Sequence, residues 1–141
     1  MSVPRPPYIV IREGLAFWVE TRPNGQAMAT RQAFAEGCFL NVLCYDASGQ
    51  LWPVAEANLT APQGLWTRLR PWRRVLVQLR FGTPRETPVS EVVLRLASIL
   101  REDNEFCEHL SCAPSQLLEK FQRAESPGDL IAMAGNETSA A

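Results

Sequence analysis

Apolar and polar positions alternate through the first eighty residues and then recur at helical spacing, and that change of period divides the chain. Residues 8–12 and 15–21 are rich in β-branched and aromatic side chains and read as two strands, with Glu13-Gly14 as the turn or bulge between them. Arg22-Pro23-Asn24-Gly25 is a strong turn. The alanines of residues 26–36 favour a short helix, while a hairpin return would suit the Asn-Gly turn, so both readings stay open there. Residues 38–45 alternate as a strand with Cys38, Leu40, Val42 and Cys44 on one face; Asp46-Ala47-Ser48-Gly49 closes a hairpin and residues 51–57 return. Residues 60–64 read as a loop. The clearest strand covers residues 73–81, where Val75, Val77, Leu79 and Phe81 face one way and Arg74, Gln78 and Arg80 the other, with Leu76 as the exception.

The period then lengthens. Thr87 is placed to cap a helix with Pro88 at its first position, where a missing amide hydrogen costs nothing. Val89, Val92, Val93, Leu96, Ala97 and Leu100 form one apolar stripe along a helix over 88–102. A second helix is predicted over 114–122, burying Leu117, Leu118 and Phe121. Ser126-Pro127-Gly128-Asp129 starts a third, with Ser126 as cap, Leu130, Ile131 and Met133 buried, and Gly135 at its end.

Strands first and helices after predict an α+β domain, an antiparallel sheet over the first ~80 residues covered on one face by C-terminal helices. The 141 residues fit one such domain, with residues 1–7 and 136–141 flexible. No apolar run approaches the ~20 residues of a membrane span. The start carries no secretory signal, and four cysteines do not make a disulfide scaffold, so a cytoplasmic location is expected.

Charge sharpens this picture. Residues 61–101 carry eight arginines against two acids, and residues 102–141 carry eight acids against Lys120 and Arg123, although the whole chain nets only −1. Sorting of this kind either neutralises itself inside the fold or presents charged faces to a partner. The run Glu102-Asp103-Asn104-Glu105, with Glu108, sits where negative charge opposes a helix macrodipole, which favours a compensating arginine or a basic partner. Between Trp66 and Arg74 the aromatics Trp66 and Trp72 interleave with Arg68, Arg70, Arg73 and Arg74, a composition that can stack on bases and grip phosphates. The plainer reading anchors both tryptophans in the core and pairs these arginines with C-terminal acids.

Catalytic chemistry finds little to stand on. His109 is the only histidine; Glu105 lies one helical turn before it and Cys112 one turn after it if the helix persists, a Cys–His–Glu set without a Gly-rich oxyanion loop. Cys38 and Cys44, or Cys107 and Cys112, lack the tight spacing of zinc knuckles, and no nucleotide-binding glycine motif is present. No cofactor, no metal and no enzymatic activity are expected. Four tryptophans and an arginine-rich segment are the residue types that anchor protein interfaces.

The hairpin Asn41-Val42-Leu43-Cys44-Tyr45-Asp46-Ala47-Ser48-Gly49-Gln50-Leu51-Trp52, followed by strands and an acidic helical region, resembles in layout and size the small bacterial immunity proteins that neutralise polymorphic toxins. That resemblance implies a non-catalytic domain that binds a basic toxin through Glu102, Asp103, Glu105 and Glu108. The alternative is a nucleic-acid-associated accessory protein using Trp66, Arg68, Arg70, Trp72, Arg73 and Arg74, and the third a small enzyme built on His109.

Overall fold

The computed structural model describes residues 3–60, 70, 72–102 and 105–138. These form strands β1 (Tyr8–Arg12), β2 (Ala16–Glu20), β3 (Gln26–Thr30), β4 (Val42–Asp46), β5 (Gln50–Leu59), β6 (Arg74–Phe81) and β7 (Arg85–Glu86). The helices are α1 (Arg31–Ala35), α2 (Val89–Arg101), α3 (Glu105–Glu108), α4 (Pro114–Gln122) and α5 (Pro127–Thr138). The fold is α+β, as the change of period predicts.

All strand pairs are antiparallel, in the order β2-β1-β4-β5-β6-β3 with β7 also on β5. β5 is long enough to serve two halves of the sheet. Its start pairs with β4 and its end with β6, and a register shift between Val54 and Glu56 bends it between the two. The sheet thereby curls into a nearly closed barrel.

Curling gives β1 two buried faces, which explains why its apolar run does not alternate. Ile9 and Ile11 join Phe17, Tyr45 and Leu51 beneath α2, α4 and α5. Tyr8 and Val10 face the other way, into the barrel, with Val42, Cys44 and Trp52. Trp18, Val54 and Phe81 link that cluster to a third one holding Ala27, Cys38, Phe39, Val75, Val77 and Leu79. The whole helical stripe from Val89 to Leu100 is turned to the protein interior, and Ile99 is buried with it.

Four local expectations change. The Asn24-Gly25 turn forms, with φ of 60° and 74°, yet β3 pairs with β6 and makes no hairpin with β2. Gly25 is needed because a Cβ there would sit 3.0 Å from the Leu79 carbonyl oxygen. Residues 26–36 then supply both candidates, a strand followed by a helix capped by Thr30, whose Oγ1 accepts the Ala33 amide at 3.1 Å. The strand expected from Cys38 begins only at Val42: left-handed backbone at Gly37 (φ 80°) and Asn41 (φ 56°) takes residues 37–41 out of line, burying Cys38 and Phe39 and leaving Leu40 72% exposed.

The remaining two changes concern helix ends. Pro88 occupies the cap position of α2, and Thr87 does other work: its carbonyl accepts the buried Tyr45 hydroxyl at 2.9 Å and its Oγ1 donates to Arg85 O. Burial, and then the Asp46 carboxylate, push the Tyr45 phenol up. Gly135 does not end α5, which continues to Thr138; it faces Val19 of β2, where a Cβ would meet Cγ2 at an ordinary 3.6 Å. Ser126 caps α5 as expected, its Oγ accepting the Asp129 amide at 3.1 Å.

Tyr8 is fully buried and, among the described residues, its hydroxyl has no hydrogen-bond partner. Burial first, then Cys44 and Glu20, push its phenol up. Tyr8→Phe is therefore expected to raise stability by about 1 kcal/mol, because it deletes an unsatisfied buried donor and keeps the edge-on contact with Phe81. A denaturant melt displaced downward by as much would show that the hydroxyl makes a stabilising bond.

Candidate functional site

The C-terminal helices pack on β1, β2 and β4, while the arginine-rich stretch leads into β6 on the other half of the barrel. Topology therefore separates the arginines of β6 from the acidic helices, while Arg95 and Arg101 of the basic segment lie on α2 in the helical layer itself. Among the described residues, the ion pairs draw their acids from Glu13, Glu20, Glu56 and Glu91, none of which belongs to the acidic C-terminal segment. Arg80 meets Glu56 at 3.4 Å, Arg85 meets Glu91 at 3.1 Å, and Arg95 bridges Glu13 and Glu91. The expected neutralisation of these arginines by C-terminal acids does not occur among the described residues.

The acidic surface starts at the end of α2. Glu102 is the C-cap residue there, exposed, and Glu105 and Glu108 are exposed on α3. Asp103 lies outside the described residues. Phe106 anchors α3, its ring stacking edge-on against Phe17 of β2 at 4.9 Å between centroids. Cys107 sits beneath, its thiol 3.6 Å from Ile99 O and 3.5 Å from Glu102 O. A weak S–H donor thus serves the carbonyls that a helix end leaves open; Arg101 stands in the last turn of α2 but, among the described residues, makes no ion pair with these acids. The result is a short, fixed helix presenting carboxylates outward.

The aromatic–basic segment is displayed too. Trp72 is 69% exposed, contrary to its anchoring in the core, and Arg70, Arg73 and Arg74 are exposed around it. Backbone pairing fixes this corner: the Arg31 amide donates to Arg73 O at 2.9 Å and Thr30 stands opposite Arg74. Trp66 and Arg68 lie outside the described residues. Of the other tryptophans, Trp52 is buried with its indole N–H on Asp46 and Trp18 is half-buried, so these two belong to the core.

His109 is exposed, and α3 stops at Glu108, so Cys112 does not continue one helix with it; Cys112 packs against the main core instead. The condition for the Cys–His–Glu arrangement, a helix persisting to Cys112, is not met. Among the described residues no three His, Cys, Asp or Glu side chains are grouped to hold a metal. No disulfide forms among the described residues, and burial pushes the Cys38 and Cys44 thiols up, as befits small core residues. No helix among the described residues is long and apolar enough to cross a membrane.

One surface feature had no counterpart in the sequence pattern. A groove of about 400 Å³ runs between the turn at residues 37–41 and the middle of β5, bordered by Phe34, Phe39, Leu40, Val54, Glu56 and Ala57. No protein-family model, no curated protein and no solved structure matches this chain.

Proposed function

We propose that this chain is a non-catalytic protein-binding domain that receives a basic partner on the acidic surface formed by Glu102, Glu105 and Glu108. Its most concrete form is an immunity-type inhibitor, acting in the cytoplasm, whose carboxylates cover the phosphate-binding surface of a toxin. The observation that supports this reading is the exposure of those three carboxylates with no ion pair to any of them among the described residues. Carboxylates left free at a helix C-terminus cost a little stability, and electrostatic steering of a cationic partner would offset it.

The test is capture of a basic partner with charge-reversed variants. Glu102→Lys combined with Glu105→Lys is expected to weaken capture on the order of 100-fold, about 3 kcal/mol, while Arg70→Ala with Arg73→Ala changes little. Equal capture by the charge-reversed protein would end the acidic-surface reading. A second reading is favoured by the exposure of Trp72 amid Arg70, Arg73 and Arg74: a nucleic-acid accessory protein that stacks on bases and contacts phosphates. Under it the two variant pairs exchange outcomes, nuclease treatment abolishes recovery, and affinity falls steeply with salt.

A further inference from the structure

β4 pairs with β5 only from Leu43 opposite Pro53 to Tyr45 opposite Leu51. Beyond Pro53, β5 continues to Leu59 with β6 on one edge and, among the described residues, no strand on the other. The chain that would have extended β4 along that edge turns away at Asn41, whose φ is 56°. It takes its hydrogen bonds locally: Gly37 N to Phe34 O, Cys38 N to Ala33 O and Leu40 N to Gly37 O, each at 3.0 Å. Of this stretch Val54, Ala55, Glu56 and Ala57 border the 400 Å³ groove, and Leu40, 72% exposed, stands at its rim.

An unpaired edge asks for a specific thing, an extended backbone whose amides and carbonyls complete the ladder. Natural sheets guard such edges with lysine or proline, and neither occurs between residues 54 and 59. The side chains bordering the groove define the rest of the occupant. Val54, Ala57 and Leu59 turn to the barrel cluster with Phe34 and Phe39, whereas Glu56 lies on the outer face with Arg80. Among the described residues, Glu56 is the only charged one bordering the groove. A strand added here would alternate an apolar residue over Phe34 and Phe39 with a basic residue beside Glu56, since opposite charges across a pair are favourable. A second copy fits less well, because antiparallel self-pairing would bring two Glu56 side chains together.

We infer that the free edge at residues 54–59 is a β-addition site for an extended segment of a partner protein in which apolar and basic residues alternate. The inference does not rest on the acidic helical surface, and the two fail separately. The probe is the peptide acetyl-Arg-Val-Arg-Val-Arg-Val-amide, whose β-branched residues favour the extended form. Its addition at millimolar concentration is expected to move the amide resonances of residues 40–41 and 54–59 and to slow hydrogen exchange along 54–59. Methylating alternate backbone nitrogens of the peptide should weaken binding about tenfold or more, since it removes ladder bonds and keeps every side chain. Glu56→Lys should weaken binding as well, and the Glu102→Lys, Glu105→Lys protein should bind as the parent does. Equal binding of the methylated peptide, shifts confined to residues 102–108, protection of the edge by self-association without peptide, or no shifts at all would each overturn the assignment.

Discussion

Phe17→Ala is expected to be the most damaging single substitution in the chain, lowering stability by about 4 kcal/mol and the melting temperature by roughly 10 °C. Phe17 is fully buried on β2, and its ring meets Phe106 of α3 at 4.9 Å and Phe121 of α4 at 5.7 Å, both edge-on. Truncation opens a cavity where three elements converge, and it removes two aromatic pairs worth about 0.5–1.5 kcal/mol each. Its second consequence bears on function. α3 is only four residues long and cannot hold itself together by backbone bonding alone, so its order depends on the Phe106 contact. Hydrogen exchange in residues 105–108 should accelerate in Phe17→Ala before the rest of the domain loosens. A loss below about 2 kcal/mol would mean that Phe106 and Phe121 close over the gap, and that α3 is held by something other than this ring.

Where the sequence was legible, one physical rule governed the segment. β6 alternates because one face lies in the barrel and the other in water, and α2 carries a single stripe because it covers a single surface. The misreadings arose where two rules competed. Cys38, Leu40, Val42 and Cys44 alternate perfectly, yet Gly37 and Asn41 break the strand, and left-handed backbone at an asparagine leaves no mark on hydrophobic period. Asn24-Gly25 turns the chain sharply, but its downstream strand finds its partner fifty residues later in β6, a choice that only the curl of the sheet can make.

The candidate surfaces divide in the same way. Charge sorting was plain in the order of residues; that it is displayed could not be, because it depends on the helices packing on β1, β2 and β4 while β6 lies elsewhere. Neither choice open for the tryptophans held throughout: Trp52, between Leu51 and Pro53-Val54, is core, and Trp72, among arginines, is surface. The groove beside β5 was invisible for a stronger reason. A free strand edge is a statement about which neighbour is missing, and no local pattern encodes a missing neighbour.

Asp46→Ala is expected to cost about 3 kcal/mol, an effect out of proportion to one small polar side chain at a hairpin. Asp46 is 4% exposed. Its Oδ1 accepts the Ser48 amide at 3.1 Å, the Ser48 hydroxyl at 2.6 Å and the Gln50 amide at 3.0 Å, and its Oδ2 accepts the Trp52 indole N–H at 2.9 Å. The Ser48 groups can turn to water when the carboxylate is gone, but the indole N–H of a buried tryptophan cannot, and an unmet buried donor costs about 1–3 kcal/mol. The loss should also pass along β5, since Asp46 fixes the turn from which that strand departs, and the adjacent Tyr45 ties the same hairpin to the start of α2 through Thr87. Comparing Asp46→Ala with Trp52→Phe and the double variant isolates the term. If the indole bond carries the effect, Asp46→Ala becomes cheaper by about 1 kcal/mol or more once Trp52 is phenylalanine, because no donor remains to be stranded. Strict additivity would place the cost in the turn instead, and Ser48→Ala would then reproduce most of it.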